Sequence, residues 1–276
     1  MIARIGRLTT AEFLKLSAQP FLYITLVVIL FSTVGSEIAK PMFSGQRETV
    51  WKAFNSVQLF AYGFQFGLKI ATYVLLIFSS MMFAGEFDRG TIKNLLTRPI
   101  RRLDFFIAKC ATVAGLAVLL FGFVFFVSAA YALWRGDLGP VWDDSQYIIQ
   151  RSAAEIVGHA RKAVWMSFWA FLAAGFMGVL VSNLTESSGY AVAIGLVLFL
   201  VADLGTGMLV DKAQQKLFMY YPAYALEKLA QLGEGTTTRW RSDIDAGRLY
   251  LVVPAAYIAA FIPLAFGIFR SRNITA

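Results

Sequence analysis

Six stretches of this chain, at about residues 20–36, 61–85, 105–134, 164–182, 189–210 and 249–269, are apolar and carry almost no charge. A helix needs roughly 20 such residues to cross the hydrocarbon core of a bilayer. The expected fold is therefore an all-α integral membrane protein, with six transmembrane helices in a single transmembrane domain over 1–276. Composition agrees, because 58% of the residues are hydrophobic and 15% are charged, too little charge to cover a soluble domain of this size. The sixth stretch contains Pro254 and Pro263, which a membrane helix tolerates when neighbours satisfy the freed carbonyls.

Charge between these blocks sets the orientation. An even number of spans puts both termini on one side. On that side fall residues 1–19, 86–104, 183–188 and 270–276, with Arg4, Arg7, Lys15, Arg89, Lys93, Arg98, Arg101, Arg102, Arg270 and Arg272 and few acids. Basic residues in short loops near span ends favour the cytoplasm, so both termini are expected to be cytoplasmic in a cell inner (plasma) membrane. Residues 135–163 and 211–248 then form extracytoplasmic loops. The first has a turn signal at Gly139 and Pro140 and then a mixed-charge helical stretch. In the second, "YYPAYALEKLAQLGEG" predicts an amphipathic helix with Pro222 in its first turn and an end at Gly233 or Gly235. That helix either lies on or dips into the outer leaflet, or is a solvated loop helix.

The first 19 residues predict a helix of their own. Thr9 and Glu12 fit a capping box, and Leu8, Phe13, Leu16 and Leu14 form an apolar stripe. This favours an interfacial helix leading into an uncleaved span over a signal peptide. The net charge of +8 fits cytoplasmic loops that touch anionic membrane lipid, and nucleic acid is not an expected partner. Cys110 and His159 are the single cysteine and histidine. They support no internal disulfide and no structural zinc or haem site.

The densest positive charge lies in "AGEFDRGTIKNLLTRPIRRLDFFIAK", residues 84–109, between two spans. Gly90 breaks the second span, Thr91 can cap a short helix, and Pro99 stops it. Ile92, Leu95 and Leu96 share one side of about two turns, while Lys93 and Arg98 lie elsewhere. Physics alone leaves two readings open, a docking helix parallel to the membrane or a basic loop held by lipid phosphates. The order Glu86, Gly90–Thr91, Leu95–Leu96, Pro99–Ile100, Arg102 and Lys109 resembles the first cytoplasmic loop of ABC-2-type transporter permeases. The N-terminal helix with "EFLKL" is similar to that family's elbow helix.

The resemblance implies a permease subunit, of an exporter rather than an importer, that works with two ATP-binding cassette subunits and a second permease chain, as a homo- or heterodimer. It implies a coupling role for Glu86, Arg89, Gly90, Thr91, Leu95, Leu96, Arg98 and Pro99. Glu86 would tie the coupling helix to the elbow helix through Arg4 or Arg7. The chain lacks a G-x-x-x-x-G-K-[ST] phosphate loop. It is therefore not expected to be an enzyme by itself or to bind a cofactor, with ATP and Mg held on the partner subunits.

Two charges lie within apolar spans, Lys69 in the second and Asp203 in the fifth. A charge at that depth costs about 2.5–3.5 kcal/mol on insertion scales and usually faces protein or water. Each is about seven residues, or roughly 10 Å, from the outer end of its span. Matching depth and opposite sign predict an ion pair or a shared outward-facing pathway, with snorkelling of Lys69 as the bland alternative. Gln65, Lys69, Thr72, Asp203 and Thr206 are the candidate translocation positions, from polarity within these spans. Gly63 and Gly67 form a G-x-x-x-G pair, a spacing that chance also supplies in a chain with 22 glycines. A rival function is a non-transporting membrane scaffold or sensor subunit. Convergent catalytic groups and inverted repeats are missing, which argues against a membrane enzyme and a secondary transporter.

Overall fold

A computed structural model describes residues 2–43, 56–91, 101–136, 141–143, 148–209, 211–233 and 248–272. In chain order the elements are α1 (Ile2–Ser17), α2 (Pro20–Phe43), α3 (Ser56–Asp88), α4 (Arg102–Arg135), β1 (Val141–Asp143) and β2 (Ile148–Arg151). They continue with α5 (Ala153–Leu184), α6 (Ser188–Met208), α7 (Asp211–Gln214), α8 (Tyr220–Gly233) and α9 (Leu249–Ser271). Helices α2, α3, α4, α5, α6 and α9 are each long and apolar enough to cross a membrane. The all-helical, six-span fold is thus present, with one small addition: β1 and β2 pair as a short antiparallel ribbon.

Several helices run beyond their apolar blocks. Helix α5 starts at Ala153 rather than near 164, so "AAEIVGHARKA" belongs to the span helix and not to a loop. The cause is local. The Ser152 side chain accepts a hydrogen bond from the Glu155 backbone N–H and caps the helix. Thirty-two residues make a rod of about 48 Å at 1.5 Å per residue, longer than a hydrocarbon core of roughly 30 Å. Its charged first turns therefore have room outside the lipid. Helix α2 likewise continues past 36 to Phe43, and α3 begins at Ser56 rather than 61.

Helix α3 is the hub, packed against α2, α4, α5, α6 and α8. Small residues let these helices approach closely. A Cβ on Gly178 of α5 or Gly195 of α6 would collide with the Ser79 or Ser80 side chain of α3. The Ser182 hydroxyl of α5 accepts from the backbone N–H groups of Phe83 and Ala84, at 2.9 and 3.0 Å. Aromatic rings fill the remaining space, including Phe64–Phe121 and Phe121–Phe168 in mid-bundle. Phe83, Phe106, Phe266 and Phe269 join α3, α4 and α9. Helices α2, α6 and α9 bury far less of their length than α3 and α5 do.

Helix α8 settles against the bundle rather than standing in a loop. Tyr221, Ala225, Leu226 and Leu229 are buried, and α8 packs on α3 and α5. The Tyr221 hydroxyl donates to the Gln215 carbonyl at 2.6 Å, which satisfies its one buried polar group. The helix ends at Gly233, with Pro222 in its first turn.

Candidate functional site

One end of the bundle gathers α1, the end of α3, the start of α4, the α5–α6 turn and the end of α9. We term it the basic end. Asp88 accepts from the Ser188 hydroxyl at 2.6 Å. Arg102 donates to the Arg270 carbonyl, and Arg272 donates to the Thr185 carbonyl while stacking over Phe87. Arg4 reaches the buried Asp104, in the first turn of α4, at 3.5 Å. A carboxylate there also complements the N-terminal end of the helix dipole.

At the centre of this end is a closed ring of four charges. Lys109 Nζ of α4 lies 2.7 Å from Glu12 Oε2 and 3.1 Å from Glu86 Oε1. Lys15 Nζ of α1 lies 2.8 Å from Glu12 Oε1 and 3.3 Å from Glu86 Oε1. The Thr91 hydroxyl donates to Glu86 Oε2 and so joins the ring to the first residues past α3. The Lys109 side chain is only 2% exposed, so its charge depends on these two carboxylates. Burial opposes the Lys15 charge, yet the hydrogen bonds and charges of Glu12 and Glu86 outweigh it and raise its pKa above 10.5.

This geometry corrects two expectations. Thr9 and Glu12 do not form a capping box, because α1 begins at Ile2 and the Thr9 hydroxyl donates to the Ile5 carbonyl inside the helix. Glu12 faces inward instead, one turn before Lys15, and meets Lys109 of α4 while Lys15 meets Glu86 of α3. Glu86 does bond to α1, but through Lys15 rather than Arg4 or Arg7. Gly90 ends α3 with φ of 64°, a left-handed conformation suited to glycine at a helix C-terminus. Arg89 is exposed beside it. Leu95, Leu96, Arg98 and Pro99 lie outside the described residues.

A second polar site lies deeper. Lys69 Nζ is 2.8 Å from Asp203 Oδ2, so the two intramembrane charges pair. The pair lines a cavity of about 120 Å³ that Gln65 and Thr72 also line, together with α5 residues and Phe218, Pro222 and Leu226 from the α8 region. Thr206 does not line it; its hydroxyl donates to the Asp203 carbonyl at 2.6 Å. Four of the candidate pathway residues therefore meet at one cavity, and α8 forms a wall that polarity within the spans could not reveal.

Sequence reasoning missed Glu37. Its side chain is buried, and neither carboxyl oxygen has a hydrogen-bond partner among the described residues. It sits in a notch at Gly63, where a Cβ would lie 1.7 Å from Glu37 Oε1. One turn along, Gly67 receives Thr33 in the same way. The G-x-x-x-G pair is thus the seat of a polar stripe on α2. The signal that marked Asp203, a lone acid in an apolar helix, would have marked Glu37 had the first span been drawn past 36.

Among the described residues, no group of three or more His, Cys, Asp or Glu side chains could hold a metal ion. The four charges of the ring are locked in ion pairs, an arrangement suited to holding helices together. A family model described as "ABC-2 family transporter protein" matches residues 8–202, a segment that includes the later part of α1, the charge ring and the loop between α3 and α4.

The chain belongs to the ABC-2 transporter family.

The uncharacterized protein YhcI of Bacillus subtilis (strain 168) is similar, 26% identical over 203 residues. That match covers 72% of this ABC-2 chain and 63% of YhcI, so it spans less than two thirds of the relative. Family membership and six long apolar helices together make the chain a multi-pass membrane protein.

Proposed function

We propose that this chain is the permease subunit of an ABC exporter, paired with a second permease chain and served by two ATP-binding subunits. ATP and Mg bind on those subunits. The chain sits in the inner membrane with both termini in the cytoplasm. The segment around Thr91–Arg98 is its coupling helix, and the cavity at Gln65, Lys69, Thr72 and Asp203 belongs to the translocation pathway.

One observation carries this reading. The ring of Glu12, Lys15, Glu86 and Lys109 ties the root of the 92–100 segment to two other helices. A push on that segment is thereby delivered to α1, α3 and α4 together, rather than absorbed by a loose loop. A basic loop that only touched lipid would need no such anchorage.

The test is co-purification in detergent with a candidate ATPase, comparing wild type with Leu95→Asp/Leu96→Asp. The expected result is that wild type retains the ATPase and the double variant loses it. A wild-type chain that retains no ATPase under any condition returns the segment to a lipid anchor, and puts the scaffold or sensor reading first.

A further inference from the structure

Away from the ring and the ion pair, the outer wall between α4 and α5 carries a groove of about 790 Å³. Phe121 is its buried floor, and the exposed Val118 and Trp165 are its rims. Arg161 and Lys162 lie along it, and among the described residues no acidic side chain lines it. A second hollow of about 370 Å³ shares Arg161 and Val164, and is lined otherwise almost wholly by apolar side chains such as Phe60, Phe125, Leu133 and Val157. Arg161 therefore stands between two apolar hollows. Among the described residues it forms no salt bridge.

The level of Arg161 is fixed by its helix. Arg161 lies about 34 Å along the helix from Leu184, the last residue of α5 at the basic end, at 1.5 Å per residue. A hydrocarbon core is roughly 30 Å thick, so Arg161 reaches the headgroup boundary of the leaflet opposite the basic end. A guanidinium at that level, with apolar surface on both sides, calls for an anion that brings its own apolar body. Phosphate suits the planar guanidinium fork, and acyl chains suit the hollows.

We infer that this face binds an anionic phospholipid, with its phosphate on Arg161, in the field of Lys162, and its acyl chains in the two hollows. The net negative charge of the headgroup selects it over a zwitterionic lipid. Gly158 supplies a clean probe of the groove. It lines the hollow beside Arg161, and a Cβ there meets nothing within 4 Å. A leucine at this position would occupy lipid space without pressing on the protein.

The experiment is native mass spectrometry of the purified full chain with dioleoyl phosphatidylglycerol or dioleoyl phosphatidylcholine. Wild type should retain phosphatidylglycerol in preference, by roughly fivefold per basic residue. Arg161→Gln/Lys162→Gln should abolish the preference, and Gly158→Leu should lower retention while the helical circular dichroism stays unchanged. Equal retention of the two lipids by wild type overturns the proposal, as does unchanged retention in both variants. Glycerol 1-phosphate, the headgroup without its chains, should not compete; displacement at equal concentration would show that the hollows contribute nothing and would also overturn it.

Discussion

Glu86 belongs to the last turn of α3, and Glu37 of α2 is seated against Gly63 near the other end of that helix, in opposite surroundings. Glu86 is met by two lysines and a threonine hydroxyl, whereas Glu37 is pressed against Gly63 with no donor for either oxygen among the described residues. A carboxylate is comfortable in the first place. In the second, an ionised carboxyl would be an uncompensated buried charge. The same residue type therefore does different work: Glu86 fastens three helices by charge, and Glu37 fills a shaped gap between two.

Substitutions can break or sharpen that contrast. The largest effect is expected for Lys109→Met, which strands Glu12 and Glu86 together at a buried site. A loss of about 3–5 kcal/mol is expected, read as a lowered unfolding midpoint in detergent. Lys15→Met, at the half-exposed corner of the ring, should cost less than about 1 kcal/mol. Equal losses from the two lysines would mean that burial does not set the strength of the ring.

Filling the notch comes next. Gly63→Val should cost about 1–3 kcal/mol by overpacking, and less when combined with Glu37→Ala, because the small side chain leaves room. Strict additivity in that cycle would separate the two positions. Charge removal without change of shape is the sharper comparison. Glu86→Gln should cost about 1.5–3 kcal/mol through lost charge-assisted bonds, while Glu37→Gln should stay within about 1 kcal/mol. A reversed order would show that Glu37 carries the more important charge.

The smallest effect belongs to Lys69 and Asp203. Lys69 is half-exposed, with 51% of its side chain accessible, so its pairing should add only about 0.2–1 kcal/mol to stability. Asp203→Asn should harm a Lys69→Met chain less than wild type when stability is followed by thermal unfolding. Fully additive losses would argue that the two do not couple.

These sites differ in how far they could be seen from the residues alone. The Lys69–Asp203 pairing was legible as one of a few alternatives, because a lone charge in an apolar helix has few tolerable solutions and equal depth with opposite sign makes a pair one of them. The partners of Glu86 were not, since a resemblance that ties it to α1 does not say which face of α1 points inward. Glu12 and Lys15 share that face, one turn apart, and an inward-facing glutamate three residues after a threonine mimics a capping box. The G-x-x-x-G pair could be named but not interpreted, because its meaning lies in Glu37 and Thr33 on another helix. The early start of α5 was hidden by its charges, which only mark the part of a long rod outside the hydrocarbon.

The family match ends at residue 202, one position before Asp203. The charge ring and Lys69 lie inside the matched segment, whereas Asp203, Phe218, Pro222 and Leu226 on the cavity wall lie beyond it. The cavity thus straddles the end of the match, with Gln65, Lys69 and Thr72 inside the matched segment, while the charge ring lies wholly within. A swap of residues 203–233 between two such chains would change one wall of the cavity and leave every charge of the ring in place.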